Sequence, residues 1–229
     1  MRAGTVVSMA RRLSVYIEVG RKRTFAGAID WPGWCRAGKD EAAAIEALFD
    51  YGPRYAKVLG RSRLGFTSTA SVSALEVVQR LKGNATTDFG APDRSPSVDG
   101  EPITDADLRR FTSVLKASWS AFDAAERRAR GKRLTTGPRG GGRDVAKILE
   151  HVIGAEESYL RMIGRKLDPE TSGDRDAERK AVLETLGTTA REGVPPSPRG
   201  GKRWTPRYFV RRSAWHVLDH AWEIEDRTP

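Results

Sequence analysis

The sequence predicts an α+β protein, with a small α/β module at residues 1–83, a linker at 84–103 and an all-α region at 104–229. Three observations predict it. Short runs of β-branched and aromatic residues occur in the first third. Beyond residue 104, apolar residues recur at helical spacing in four successive stretches. Between these regions lies a stretch with three prolines, two glycines and few apolar residues.

The elements follow in order. Ser14-Val-Tyr-Ile-Glu-Val19 reads as a strand, Arg21-Lys22-Arg23 as a polar turn and Thr24-Phe-Ala-Gly-Ala-Ile29 as a second strand. Trp31-Pro-Gly-Trp34 is a turn, because Pro-Gly presets one. Asp40 caps a helix through Leu59, with Ala44, Ile45, Leu48 and Tyr55 at helical spacing and Pro53 as a break or kink. Ala74 to Leu81 is either a closing strand or a short helix, which periodicity alone does not decide. Thr104-Asp-Ala-Asp107 resembles a capping box and opens a helix whose apolar stripe is Leu108, Phe111, Leu115, Trp119 and Phe122. A second helix runs from about residue 143 to 163, with Ile148, Val152, Ala155 and Tyr159 inward. A third runs from about 174 to 192 on Ala181, Val182, Leu186 and Thr189. Thr205-Pro206 opens the fourth, since proline suits the first helical position, and it continues to about Asp226. Four amphipathic helices with short to medium connections imply a four-helix bundle.

Composition narrows the function classes. No apolar run reaches the roughly 18 residues of a membrane helix, so no membrane partner is expected. The N-terminus carries no secretory h-region, and Met9, opening Met-Ala-Arg-Arg-Leu, is an alternative start to Met1. Cys35 is the only cysteine. An internal disulfide and a thiolate zinc site are therefore excluded, and a reducing cytoplasm is the expected compartment. Any thiol chemistry needs a thiol from outside. The net charge of +10 is concentrated early, residues 1–83 holding 14 Lys/Arg against 7 Asp/Glu. That excess suits an anionic partner such as nucleic acid, or else a solvated basic face.

The histidines carry the chemistry. The chain has three, and His216 and His220 stand four apart in Ala-Trp-His-Val-Leu-Asp-His-Ala-Trp-Glu. A helix brings such a pair onto one face. His151 lies three after Ile148 and four before Ala155, on the inward side of its own helix. Phe209, Ser213, His216, His220 and Ile224 share a face of the fourth helix. Three inward imidazoles form a three-ligand metal site with an open position, the arrangement of catalytic zinc. Zinc and nickel both suit imidazole. Glu223 is the favoured acceptor to fix an imidazole tautomer, while Glu150, Glu156 and Asp219 are expected at the surface. Two similar loops, Pro138-Arg-Gly-Gly-Gly-Arg143 and Pro198-Arg-Gly-Gly-Lys-Arg203, precede the second and fourth helices. Their Arg139, Arg143, Arg199 and Arg203 are candidates to hold an anionic cofactor or substrate; flexible connectors are the alternative.

Residues 104–229 resemble the DinB-like (YfiT-like) four-helix bundles. The resemblance rests on Ile-Leu-Glu-His151-Val-Ile-Gly-Ala-Glu-Glu-Ser-Tyr-Leu and on Arg-Arg-Ser-Ala-Trp-His216-Val-Leu-Asp-His220-Ala-Trp-Glu. That family places one histidine on its second helix and a His-x-x-x-His pair on its last. It includes metal-dependent transferases that use bacillithiol or mycothiol, and a maleylpyruvate isomerase. The resemblance implies one divalent ion on His151, His216 and His220, and a metal-dependent thiol S-transferase acting on a small thiol and an electrophile. The Ala-, Arg- and Gly-rich composition is that of a high-GC bacterium, which makes mycothiol a candidate. Residues 13–83 resemble the HicB-type antitoxin domain, on Val15-Tyr-Ile-Glu and on Ala28-Ile-Asp-Trp-Pro-Gly-Trp-Cys-Arg-Ala-Gly-Lys-Asp-Glu-Ala-Ala-Ala-Ile-Glu-Ala-Leu48. Cys35 is read there as core packing. The rival reading is a non-catalytic or stress-related regulator whose basic module binds nucleic acid or a protein. A homodimer and a monomer are both compatible with either.

Overall fold

The structure is a computed structural model and describes residues 12–60, 62–137, 142–198 and 200–229. The chain divides into two compact units, Met1–Ala56 with Thr67–Arg94, and Lys57–Phe66 with Ser95–Pro229.

The first unit is built on a four-stranded mixed sheet. Its strands are β1 (Leu13–Val19), β2 (Thr24–Ala28), β3 (Cys35–Gly38) and β4 (Leu75–Lys82), in the order β3-β2-β1-β4. β2 runs antiparallel to both neighbours, and β4 runs parallel to β1. Of the run from Ala74 to Leu81, all but Ala74 thus resolves as a strand. Its Val77 and Val78 suit a pleated surface, and its burial alternates because successive side chains point to opposite faces of the sheet. β3 is an element that the sequence reading did not anticipate; four residues are too few for a periodic signal. The expected turn at Trp31–Trp34 is formed and leads into this strand.

Helix α1 (Glu41–Asp50) starts where Asp40 accepts the Ala43 N–H at 2.8 Å. A Cβ on Gly38 would lie 2.3 Å from the Ala44 nitrogen, so β3 approaches α1 at a distance only glycine permits. Helix α2 (Gly52–Leu59) begins beside Pro53, which breaks the run into two helices. The Trp34 indole donates to the Leu48 carbonyl at 2.8 Å, and the Tyr55 hydroxyl to the Pro32 carbonyl at 2.8 Å. Cys35 is buried, with its sulfur 3.9 Å from the Tyr16 hydroxyl, which fits its reading as core.

The stretch 84–103, which the sequence reads as a linker or an extended strap, carries structure of its own and divides between the two units after Arg94. Its first part forms helix α3 (Ala85–Phe89), capped reciprocally by Asn84 and Thr87. Glu18, fully buried on β1, holds this part. Its carboxylate accepts from the Thr87 hydroxyl at 2.5 Å, the Asp93 N–H at 2.9 Å and the Arg94 N–H at 2.9 Å. The second part belongs to the helical unit. Asp99, in a single 3-10 turn at Ser97–Gly100, is buried and receives Arg211 through two N–H groups at 2.7 Å each. Buried polar groups stabilise where they are hydrogen-bonded in this way. A segment held by polar clamps has no apolar periodicity, so the sequence reads as a strap.

The second unit carries four long helices, α4 (Asp105–Ala129), α5 (Val145–Met162), α6 (Arg175–Glu192) and α7 (Pro206–Arg227). Thr104, Asp144, Asp174 and Thr205 cap their N-termini through side-chain oxygens. The core combines Phe111, Leu115 and Phe122 with Ile148, Leu160, Leu186, Phe209 and Leu218. The fourth helix departs from the expected amphipathic form. Every residue from Tyr208 to Leu218 is buried, because α7 packs against α4, α5, α6 and the Asp99 turn. A helix buried all round occupies the centre of its unit. The two arginines in this run, Arg211 and Arg212, masked that signal in the sequence.

Candidate metal centre

Helix α5 presents His151 in its second turn, between the buried Ile148 and Val152. Helix α7 presents His216 and His220 one turn apart. The expected constellation is formed: one nitrogen from each ring can be chosen so that all three lie within 4.8 Å of one another. The His151 and His216 Nε2 atoms are 3.1 Å apart. Ring centroids are 5.0 Å apart for His151–His216, 4.9 Å for His151–His220 and 4.7 Å for His216–His220. His216 and His220 are buried, whereas His151 is half-buried and forms the accessible side.

The tautomer of His220 is fixed. Its Nδ1 lies 2.8 Å from Glu223 Oε2, so Nδ1–H donates to the carboxylate and the Nε2 lone pair is left for a ligand role. Glu223 is in turn held by Arg227, whose Nη1 donates to Oε1 at 2.6 Å. Burial alone would raise the Glu223 carboxyl, but the hydrogen bonds and charges of His220 and Arg227 outweigh it and keep the group below its usual value. Arg227 is a residue the sequence reading missed. Its Nη2 donates to the Arg143 carbonyl at 2.8 Å and its Nε to the Thr135 carbonyl at 2.9 Å. It thereby ties the loop before α5 to the end of α7. Its only sequence signal is its place four residues after Glu223, the spacing of a helical ion pair.

Burial is the main reason His216 is held well below the ordinary histidine value, with His220, His151, Arg212 and Arg143 adding to it. His151 is lowered by burial first, then by His220 and Arg143, against Glu223. Neutral imidazoles are the ligand-competent form. Three imidazole nitrogen donors, a carboxylate behind one of them and an accessible side fit a divalent first-row ion. Among the described residues, the buried His216 Nδ1 has no hydrogen-bond partner.

The other predicted residues fall as follows. Arg143 stands immediately before the α5 cap, is exposed, and acts electrostatically on His151 and His216. Arg203 is engaged elsewhere. Its guanidinium donates to the Pro195 carbonyl at 3.2 Å and to the Arg161 carbonyl near the C-terminal end of α5. That end lies ten residues beyond His151, roughly 15 Å along the helix. Arg139 and Arg199 lie outside the described residues. Glu150 is exposed, as expected. Glu156 is not at the surface: it is buried and accepts from the Trp119 indole at 2.5 Å, away from the histidines. Among the described residues, no helix is long and apolar enough to cross a membrane. Comparison of the chain with family models, curated proteins and solved structures finds no match.

Proposed function

We propose that the helical unit is a metal-dependent enzyme of the DinB-like kind, in its most specific form a transferase that joins a small external thiol to an electrophile. The observation that carries this reading is the convergence of all three histidines of the chain, with Glu223 orienting one of them. His151, His216 and His220 would hold the ion. When bound, a divalent ion supplies positive charge and an open position that favour the thiolate form of a thiol at neutral pH.

The chain's own residues supply the rest. Burial keeps His216 neutral and so available as a donor. Glu223 and Arg227 hold the His220 ring in one orientation. Half-buried His151 leaves the approach on its side open. Cys35 is buried in the first unit, so the thiol comes from solution. In the reaction the thiol loses its proton to solvent, sulfur forms a bond to the electrophilic carbon, and the leaving group departs with its electron pair. Purified protein should carry about one divalent ion per chain, as a three-histidine site implies. Thiol consumption with a test electrophile should require that ion and stop with chelator. Full metal retention in a variant with all three histidines changed to Ala would sink the reading.

A second reading follows from the basic excess in residues 1–83: a non-catalytic regulator that binds nucleic acid. Its test is a titration whose affinity falls steeply with salt.

A further inference from the structure

The first unit presents an aromatic ring to solvent. Among the described residues the exposed large apolar side chains are Val19, Val72, Val78 and Phe89, and Phe89, at 84%, is the aromatic one. Leaving such a ring in water forgoes the gain of burying it. The ring does not sit on a loose segment. Phe89 ends α3, whose cap is reciprocal between Asn84 and Thr87, and Glu18 holds the Thr87 hydroxyl with the Asp93 and Arg94 N–H groups. Asp88, the residue before it, accepts the Lys22 N–H at 2.7 Å and lies 3.6 Å from the Arg21 guanidinium. A Cβ on Gly20 would stand 2.5 Å from Asp88 Oδ1, so the turn between β1 and β2 meets α3 at a distance only glycine permits. Phe89 is thereby fixed beside Arg21 and Lys22.

The charges here divide by direction. Arg21 and Lys22 are exposed, the Arg21 side chain at 92%. The carboxylates beside them are engaged: Glu18 is fully buried, the Asp88 side chain is 13% exposed, and Asp93 accepts from the Asn84 amide at 2.6 Å. The surface next to the ring is therefore cationic. An exposed pair such as Arg21–Asp88 contributes little and leaves the guanidinium open to a phosphate. An aromatic face beside cations takes an unpaired base together with its phosphates. A membrane surface or the core of a protein interface needs a wider apolar patch than one ring.

We propose that Phe89, with Arg21 and Lys22, forms a contact surface for single-stranded nucleic acid, the ring stacking on an unpaired base and the two cations meeting the flanking phosphates. This rests on the nucleic-acid reading of the basic N-terminal region and gives that reading a place. It is tested on the full chain by fluorescence anisotropy, with fluorescein-labelled single-stranded DNA and RNA of about 12 nucleotides and a DNA duplex of the same length. A single strand is expected to bind more tightly than the duplex, whose bases are already stacked. Phe89→Ala and Phe89→Leu should each weaken single-strand binding about tenfold, and Phe89→Trp should retain it. Arg21→Gln with Lys22→Gln should flatten the slope of log affinity against log salt by about 1.4, two phosphate contacts at about 0.7 each. All three side chains are exposed, so circular dichroism should not change. Duplex binding as tight as that of the single strand overturns the surface. So does single-strand binding that survives Phe89→Ala or Phe89→Leu, or a salt slope unchanged in the double variant; in these cases the nucleic-acid reading itself stands. A chain that binds no oligonucleotide refutes both. Binding instead to vesicles of equal phosphatidylglycerol and phosphatidylcholine, lost in Phe89→Ala, would assign the ring to a lipid surface and refute the proposal.

Discussion

Replacing Asp99 by Ala removes the carboxylate that receives two N–H groups of Arg211 at 2.7 Å each. Asp99 is 1% exposed and Arg211 6%, so water does not readily take the place of the lost partner. Breaking a buried pair from one side costs about 3–5 kcal/mol. For a unit of this size each kcal/mol lowers Tm by about 2–4 °C, so the expected fall is about 6–20 °C. Thermal and urea unfolding followed by far-UV circular dichroism measures it. The double change Asp99→Leu with Arg211→Met should recover most of the loss, since a well-packed apolar pair replaces a buried ion pair at little net cost. A loss below about 1 kcal/mol for Asp99→Ala would refute the claim that residues 95–103 are clamped structure, because loops without such features tolerate substitution at that level.

Burial pushes the Glu156 carboxyl up to about 7 from its ordinary 4.5. The folded state then holds the proton more tightly than the unfolded one, so this contribution is full below about pH 4.5 and is lost as pH rises through about 7, on the order of 3 kcal/mol in all. Glu156→Gln, which keeps an acceptor for Trp119, should flatten the pH dependence of stability across that window; an unchanged slope contradicts the assignment. Glu223→Ala should weaken metal binding about 10–100-fold with the helical content retained, and an unaltered affinity would mean that His220 needs no such support. Glu18→Ala should expose residues 84–94 to limited proteolysis, which wild-type protein resists there; equal cleavage of both would show that the carboxylate does not hold the segment.

How much was legible follows from the kind of force at each place. The four long helices show in the sequence because their caps and apolar stripes are local, from Thr104 and Phe111 to Thr205 and Phe209. The histidine centre was legible because a pair at i and i+4 with a third histidine on another inward face constrains the geometry strongly. Arg227 was not, since an arginine near a helix end reads as an ordinary dipole partner. Glu156 reads as a surface carboxylate until Trp119 of α4 is brought against it.

The sequence by itself determined the α+β class, the long helices and their starts, the strands β1 and β2, and the three imidazoles that meet. Each of these is written in periodicity, capping or spacing within one segment. Tertiary structure alone decided that Leu75–Lys82 is a strand, because only parallel pairing with β1 satisfies its backbone there. It decided that α7 is enclosed on all sides, and that Glu18 and Asp99 fix a stretch with little apolar surface. Those outcomes depend on groups 70 to more than 100 residues apart finding one another. A buried carboxylate and its distant donor leave no pattern in the chain until the fold removes both from water.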